Sequence, residues 1–211
     1  MSIILPSSCF APILQFALIT DAENYTIETK EHFVKQSYRS RFQIYGANGM
    51  LNLVVPVKKR KNHSPIEQIE VSYDESWQQL HWRSIESAYR ASPFFEFYEE
   101  EIKPLVFLKE INLIKRNAEI ERAILRIIEI SSSVIFSKNY SEQDPDWRSL
   151  INPKNKVEME SVSIPNYMQV FEDKHGFIPN LSILDLLFNL GPESKLYLKL
   201  LNQSIKDAKK N

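Results

Sequence analysis

The stretch Ser76–Pro104, SWQQLHWRSIESAYRASPFFEFYEEEIKP, constrains the fold more than any other part of the chain. At about 100° per residue, Trp77, Leu80, His81, Ser84, Ile85 and Ala88 fall on one arc of a helix. Gln79, Arg83, Glu86 and Arg90 fall on the opposite arc. A helix with such a face needs a core to lie on. The pattern predicts one helix over Ser76–Ala91, buried through Trp77, Leu80, His81 and Ala88, with Ser76 as its N-cap. Trp82 and Tyr89 flank the face, seven residues apart. Ser92-Pro93 then restarts the chain, because proline disfavours an α conformation in the residue before it. Phe94, Phe95, Phe97 and Tyr98 predict a short second helix. His81 has two readings: a hydrogen-bonded core histidine, or one wall of an aromatic pocket.

Upstream, Ser2–Leu5 reads as a strand, Pro12–Asp21 as a helix and Tyr25–Glu28 as a second strand, an opening βαβ unit. The end of such a first strand is a common ligand position, and Ser7, Ser8 and Cys9 lie there. Arg41–Tyr45 and Leu51–Val57 read as strands joined by the turn signal Gly46-Ala47-Asn48-Gly49. If the preceding residues are extended, Lys35, Ser37, Arg39 and Arg41 point one way. Three cations on one face are either a charge-guarded sheet edge or an anion site of arginine forks. Lys58-Lys59-Arg60-Lys61 is a basic loop, either a solvated tip or a phosphate contact. Ile69–Tyr73 alternates as a strand.

Downstream, Leu108–Ile130 reads as a long helix and Val134–Phe136 as a strand. Ser137–Lys156 is polar and irregular, expected to be a surface loop and the most mobile internal segment. Val162–Ile164 is a possible strand. Ser182-Ile-Leu-Asp185 resembles a capping box, with Asp185 expected to serve backbone amides at the helix start. Gly191-Pro192 stops that helix and starts the next. Asn180 and Asn189 are buried-polar candidates.

These elements define an α/β fold: a mixed sheet with an opening βαβ unit, a hairpin and flanking helices. A chain of 211 residues fits a single domain over 1–211. Within it, 1–75 is sheet-rich, 76–130 is helical, 137–156 is the irregular loop and 157–211 closes with helices. Net charge is −1, so no specific nucleic-acid binding is expected from overall charge. No stretch reaches 18 apolar residues, so no membrane partner is expected. A single cysteine and an N-terminus without a basic leader point to the cytoplasm. Phosphate-loop, nucleophile-elbow and zinc motifs are absent, so neither cofactor nor metal is expected.

Several of these segments together resemble the WbqC-like family. They are Pro6-Ser-Ser-Cys-Phe-Ala-Pro12, Lys35-Gln-Ser-Tyr-Arg-Ser-Arg41, Ala47-Asn-Gly49 and Val55-Pro56-Val57. His81-Trp82-Arg-Ser84, Tyr89, Ser92-Pro-Phe-Phe-Glu-Phe-Tyr98, Pro165-Asn-Tyr-Met-Gln169 and Phe177 through Gly191 complete the likeness, which covers nearly the whole chain. The resemblance implies a bacterial protein of surface-polysaccharide or O-antigen gene clusters, with glycine transfer to a sugar one suggested activity. The chain departs from the pattern in three ways. Ile4-Leu5-Pro6 stands where many members carry His-Gln-Pro, Cys9 stands where an aromatic is usual, and a glycine-rich segment of longer members is absent.

Two functions follow. One is acyl or aminoacyl transfer onto a sugar or nucleotide-sugar. His81 is then the general base, and Lys35, Arg39 and Arg41 hold phosphate or carboxylate. Tyr38, Trp82 and Tyr89 wall the sugar, and Asp185 is the candidate second titratable group. The other is a non-catalytic protein binding a small anionic or sugar-like ligand in the same cleft. On both, the Arg39/Arg41 face and the His81/Tyr89 helix are expected to share that cleft. The sequence leaves oligomeric state unassigned.

Overall fold

The computed structural model describes residues 3–140, 145–155 and 161–208. Strand β1 (Ile3–Leu5), helix α1 (Ile13–Ile19) and strand β2 (Asn24–Ile27) form the expected βαβ unit, with β1 and β2 parallel. Every residue of α1 is buried, which matches a sequence that is apolar all round except for Gln15. Strands β3 (Arg41–Gly46) and β4 (Gly49–Val54) make the hairpin. Its positive φ, 96°, falls on Gly49, the residue best able to adopt it. Strand β5 (Ser133–Phe136) pairs parallel with β2, giving the sheet order β1-β2-β5, while the hairpin forms a separate two-stranded sheet. Parallel and antiparallel pairing among flanking helices make the fold α/β.

Helix α2 (Trp77–Tyr89) lies on the hairpin and on α3 (Phe95–Phe107). Its buried face is Trp77, Gln78, His81, Trp82, Ile85, Ala88 and Tyr89. That arc is turned by about one position from the expected one. Leu80 is 64% exposed, whereas Trp82 and Tyr89 are buried rather than flanking. Two large aromatics bury more apolar area than one leucine, and they set the orientation. Ser76 makes no capping hydrogen bond. Helix α3 is longer than expected and runs through Pro104. The side chain of Gln78 donates to the Val106 and Leu108 carbonyls and that of Arg116 to Leu105 and Val106, satisfying orphan acceptors at the end of α3.

Helix α4 (Leu113–Ile127) begins at Asn112, whose side chain accepts from the Lys115 amide, and not at Leu108. Leu108–Asn112 is non-helical, and the Val71 amide donates to the Ile111 carbonyl. Ile69–Tyr73 forms single bridges through Glu70 and Val71, not a strand, and Val162–Ile164 is also irregular. Of the segment 137–156, residues 141–144 and 156 lie outside the described residues. The part over 145–151 is irregular but is tied to the sheet. The Ile4 amide donates to the Pro145 carbonyl, the Trp147 amide donates to the Ile4 carbonyl, and Leu150 and Ile151 are buried. It covers the free edge of β1, which would otherwise expose unpaired backbone groups.

The chain closes with a short helix α5 (Glu172–His175), then α6 (Ile183–Leu190) and α7 (Ser194–Ala208). Ser182 caps α6 through its hydroxyl, which accepts from the Leu184 amide. Gly191, at φ 55°, ends α6 as the sequence predicts; a Cβ there would stand 2.5 Å from the Phe94 ring. Helices α6 and α7 pack on α1, completing the core. Among the described residues no helix is long and apolar enough to cross a membrane.

Candidate functional site

Parallel sheets collect polar groups beyond the carboxyl ends of their strands, where loops leave the sheet and side chains converge. Here Ser7 and Ser8 follow β1, Glu28 and Thr29 follow β2, and Ser137 follows β5. The Ser137 hydroxyl donates to Glu28 at 2.7 Å, and the Thr29 amide donates back to the Ser137 hydroxyl at 2.9 Å. Helix α4 crosses this edge and contributes Asn117 and Glu121. Asn117 donates from its amide to the Ser7 hydroxyl at 3.1 Å and to the Arg39 carbonyl at 2.9 Å. Its own side-chain oxygen is buried without a hydrogen bond.

Glu121 is the centre of the cluster. Tyr25 donates from its hydroxyl to one carboxylate oxygen and Gln15 from its amide to the other, both at 2.6 Å. The Gln15 oxygen in turn accepts from the Ser8 hydroxyl at 2.7 Å. Burial pushes the Glu121 carboxyl up to about 7, against the pull of those two donors, while the same burial and the nearby carboxylate raise the Tyr25 hydroxyl. Ser7, Ser8, Asn117, Glu121 and Phe136 line a narrow crevice with no room for a water molecule. The signal for Glu121 is present in the sequence. It lies seven residues from both Ile114 and Ile128, on the apolar stripe of α4, where a carboxylate is out of pattern.

The sequence-predicted residues have several different surroundings. His81 is buried between Trp77 and Phe42, with ring centroids at 4.9 Å and 5.5 Å. Burial, with Arg116 nearby, lowers it to about 4, so the ring is neutral at physiological pH. Tyr89 and Asp185 do meet. Asp185 accepts from the Tyr89 hydroxyl at 2.8 Å, the Tyr167 hydroxyl at 2.5 Å and the Gln169 amide at 2.8 Å. Tyr89 in turn accepts from the Tyr45 amide at 3.0 Å. Asp185 is therefore the hub of a buried tyrosine cluster, not a capping group, and burial raises its carboxyl. Trp82 stacks on Phe95. Tyr38 is buried, its hydroxyl raised to about 12 by burial and donating to Gln43.

The run Lys35–Arg41 is not an extended strand. Gln36 adopts φ 58°, the Ser37 hydroxyl donates to the Val34 carbonyl, and the chain turns, so the three cations share no face. Lys35 is exposed. Arg39 is buried and forks onto Glu31 at 2.8 Å and 2.6 Å, with Arg148 at 3.5 Å from the same carboxylate. Arg41 precedes Phe42 on β3, and alternation turns it away from the face that meets His81. The expected common cleft thus becomes separate environments. Among the described residues no group of three or more His, Cys, Asp or Glu could hold a metal ion.

A three-stranded parallel sheet entered by a βαβ unit, with a near-neutral carboxylate beyond its strand ends, defines an α/β protein with a polar cluster at the usual ligand position of that architecture. The chain belongs to the WbqC-like protein family, whose model it matches over residues 8–162 and 151–197. It is similar to "Uncharacterized protein Rv1507c" of Mycobacterium tuberculosis (strain ATCC 25618 / H37Rv), with 27% identity over 216 residues, covering 89% of this chain and 93% of that protein. No solved structure gives a significant match.

Proposed function

We propose that the protein transfers an acyl or aminoacyl group, such as glycine, onto a sugar or nucleotide-sugar in surface polysaccharide synthesis, at the carboxyl edge of its parallel sheet. One arrangement supports this reading: buried Glu121 accepts from Tyr25 and Gln15, lines a crevice with Ser7, Ser8 and Asn117, and has its carboxyl pushed up to about 7 by burial. A general base works best with a pKa near the operating pH. Both groups are buried, but burial holds Glu121 near that value and His81 well below it. In the step, an acceptor amine or hydroxyl attacks the acyl carbonyl and gives its proton to Glu121. The carbonyl then re-forms and expels the donor's leaving group. Asn117 and Ser7 supply polar contacts to orient the acceptor once the crevice, which has no water-sized space as it stands, opens to admit it.

A thermal-shift screen with glycine, aminoacyl donors and nucleotide sugars finds the ligand, and a turnover assay on each hit tests the chemistry. Glu121→Gln should lower turnover by roughly 10²-fold or more, within the range general-base removal gives, and retain binding. Unchanged turnover in Glu121→Gln would sink the assignment.

A second reading is a protein that binds a small ligand without turnover; the crevice beside Glu121 favours the absence of turnover, since it has no room for an acceptor as it stands. It predicts ligand-dependent stabilisation with no product from any hit.

A further inference from the structure

The basic loop folds against His32 and Phe33, which lie beyond the end of β2. The Phe33 amide donates to the Ser64 carbonyl at 3.0 Å, and His32 bridges Pro65. Between them lies an open pocket of about 240 Å³ lined by His32, Phe33, Lys35, Arg60, Lys61 and His63. Three of these side chains are permanent cations and two are imidazoles, and no carboxylate lines the pocket among the described residues. The neighbouring cations are different. Lys58 pairs with Glu70, Lys30 with Glu67 and Arg39 with Glu31. Lys35, Arg60 and Lys61 form no ion pair among the described residues.

The pocket is also partly ordered before any ligand arrives. The Arg60 guanidinium lies 4.2 Å above the centre of the Phe33 ring, which fixes its fork. The His32 and His63 rings meet edge to face at 5.1 Å, and the Ser64 hydroxyl donates to the Lys61 carbonyl at 2.9 Å, tying the loop back on itself. A solvated tip needs none of this. Converging unpaired cations in a concave site match a group that carries two negative charges in a small volume.

From this geometry we infer that the pocket is an anion site for the phosphate or diphosphate of a small ligand. It is separate from the Glu121 cluster and stands whether or not that cluster is catalytic. A concave site favours a small phosphorylated molecule over a nucleic-acid backbone, which would call for a basic stripe along the surface.

The test is isothermal titration of the full chain with inorganic pyrophosphate, with acetate as the singly charged comparison. Pyrophosphate should bind and acetate should not. The double variant Arg60→Ala/Lys61→Ala should weaken pyrophosphate binding by about tenfold or more, the scale of one lost charge-assisted hydrogen bond. Its melting temperature without ligand should stay as in the unaltered protein. Lys58→Ala removes a nearby cation outside the pocket and should change binding less than about twofold. The inference is overturned if pyrophosphate does not bind or if acetate binds equally well. It is also overturned if Lys58→Ala weakens binding as much as the double variant, or if a single-stranded oligonucleotide binds through these residues while pyrophosphate does not.

Discussion

Glu121 and His81 are both buried, and burial displaces them in opposite senses, which makes their effect on stability measurable. Burial favours the uncharged form of each. Glu121 moves from an ordinary 4.5 up to about 7, and His81 moves from 6.5 down to about 4. Between pH 4.5 and 7 the folded chain holds a proton on Glu121 that the unfolded chain has lost. The stability from that protonated form is complete below 4.5 and is lost as pH rises through 7. His81 acts the other way: its neutral form stabilises above 6.5, and that contribution is lost as pH falls through 4. At about 1.4 kcal/mol per pH unit, each effect amounts to about 3 kcal/mol across its window. In the unaltered protein the two oppose each other from pH 4.5 to 6.5 and nearly cancel. Single substitutions separate them. The measurement is urea denaturation from pH 4 to 8, followed by the fluorescence of the buried Trp77 and Trp82. Relative to the unaltered protein, Glu121→Gln should gain about 3 kcal/mol between pH 4.5 and 7. His81→Phe should gain about 3 kcal/mol as pH falls from 6.5 to 4. Constant offsets from lost hydrogen bonds leave these slopes untouched, and the raised Asp185 carboxyl is common to all three proteins. A flat difference curve for Glu121→Gln would refute the account of a carboxylate titrating near neutrality.

The sequence carries the βαβ unit, the hairpin and the helix stops because each rests on a local signal. Period-2 and period-3.6 patterns mark the strands and helices, Asn48-Gly49 marks the turn, and Gly191-Pro192 marks the break. Signals that need a partner from elsewhere mislead. Lys35–Arg41 alternates like a strand, yet among the described residues Lys35–Ser40 joins no strand ladder, its Tyr38 and Ser40 carbonyls accepting single amides from Cys9 and Val55, and Gln36 turns left-handed. Local spacing places Leu80 and Trp82 on neighbouring arcs; only the competition for area against Phe95 decides that Trp82 is buried. The candidate site is hidden for the same reason. Glu121, Tyr25 and Gln15 are separated by up to 106 residues, and their hydrogen bonds exist only once the sheet edge and α4 meet. What a sequence does reveal is the anomaly, a glutamate inside an apolar stripe. Asp185 shows a related difficulty: at the start of α6 it fits a capping role, but Tyr89 and Tyr167 arrive from other segments and claim it.

Trp77→Ala should lower stability by roughly 3–5 kcal/mol, because the ring is buried against Tyr73 and His81 and donates to the Ser72 carbonyl; an unchanged urea midpoint would contradict that packing. Arg41→Ala should leave stability within about 0.5 kcal/mol, since this half-buried side chain faces away from the core and has no ion pair among the described residues. Arg39→Ala should behave oppositely. Its fork and the Glu31 carboxylate are each only 8% exposed, so removing the guanidinium strands a buried anion. Breaking such a pair from one side costs about 3–5 kcal/mol. Arg148 stands 3.5 Å from the same carboxylate and relieves part of the loss, which places the expected value near 3 kcal/mol. Arg39→Lys keeps the charge but not the two parallel bonds, and it should fall between the two alanine variants. If Arg39→Ala and Arg41→Ala unfold at the same urea concentration, the Glu31–Arg39 pair does not hold this edge of the fold together.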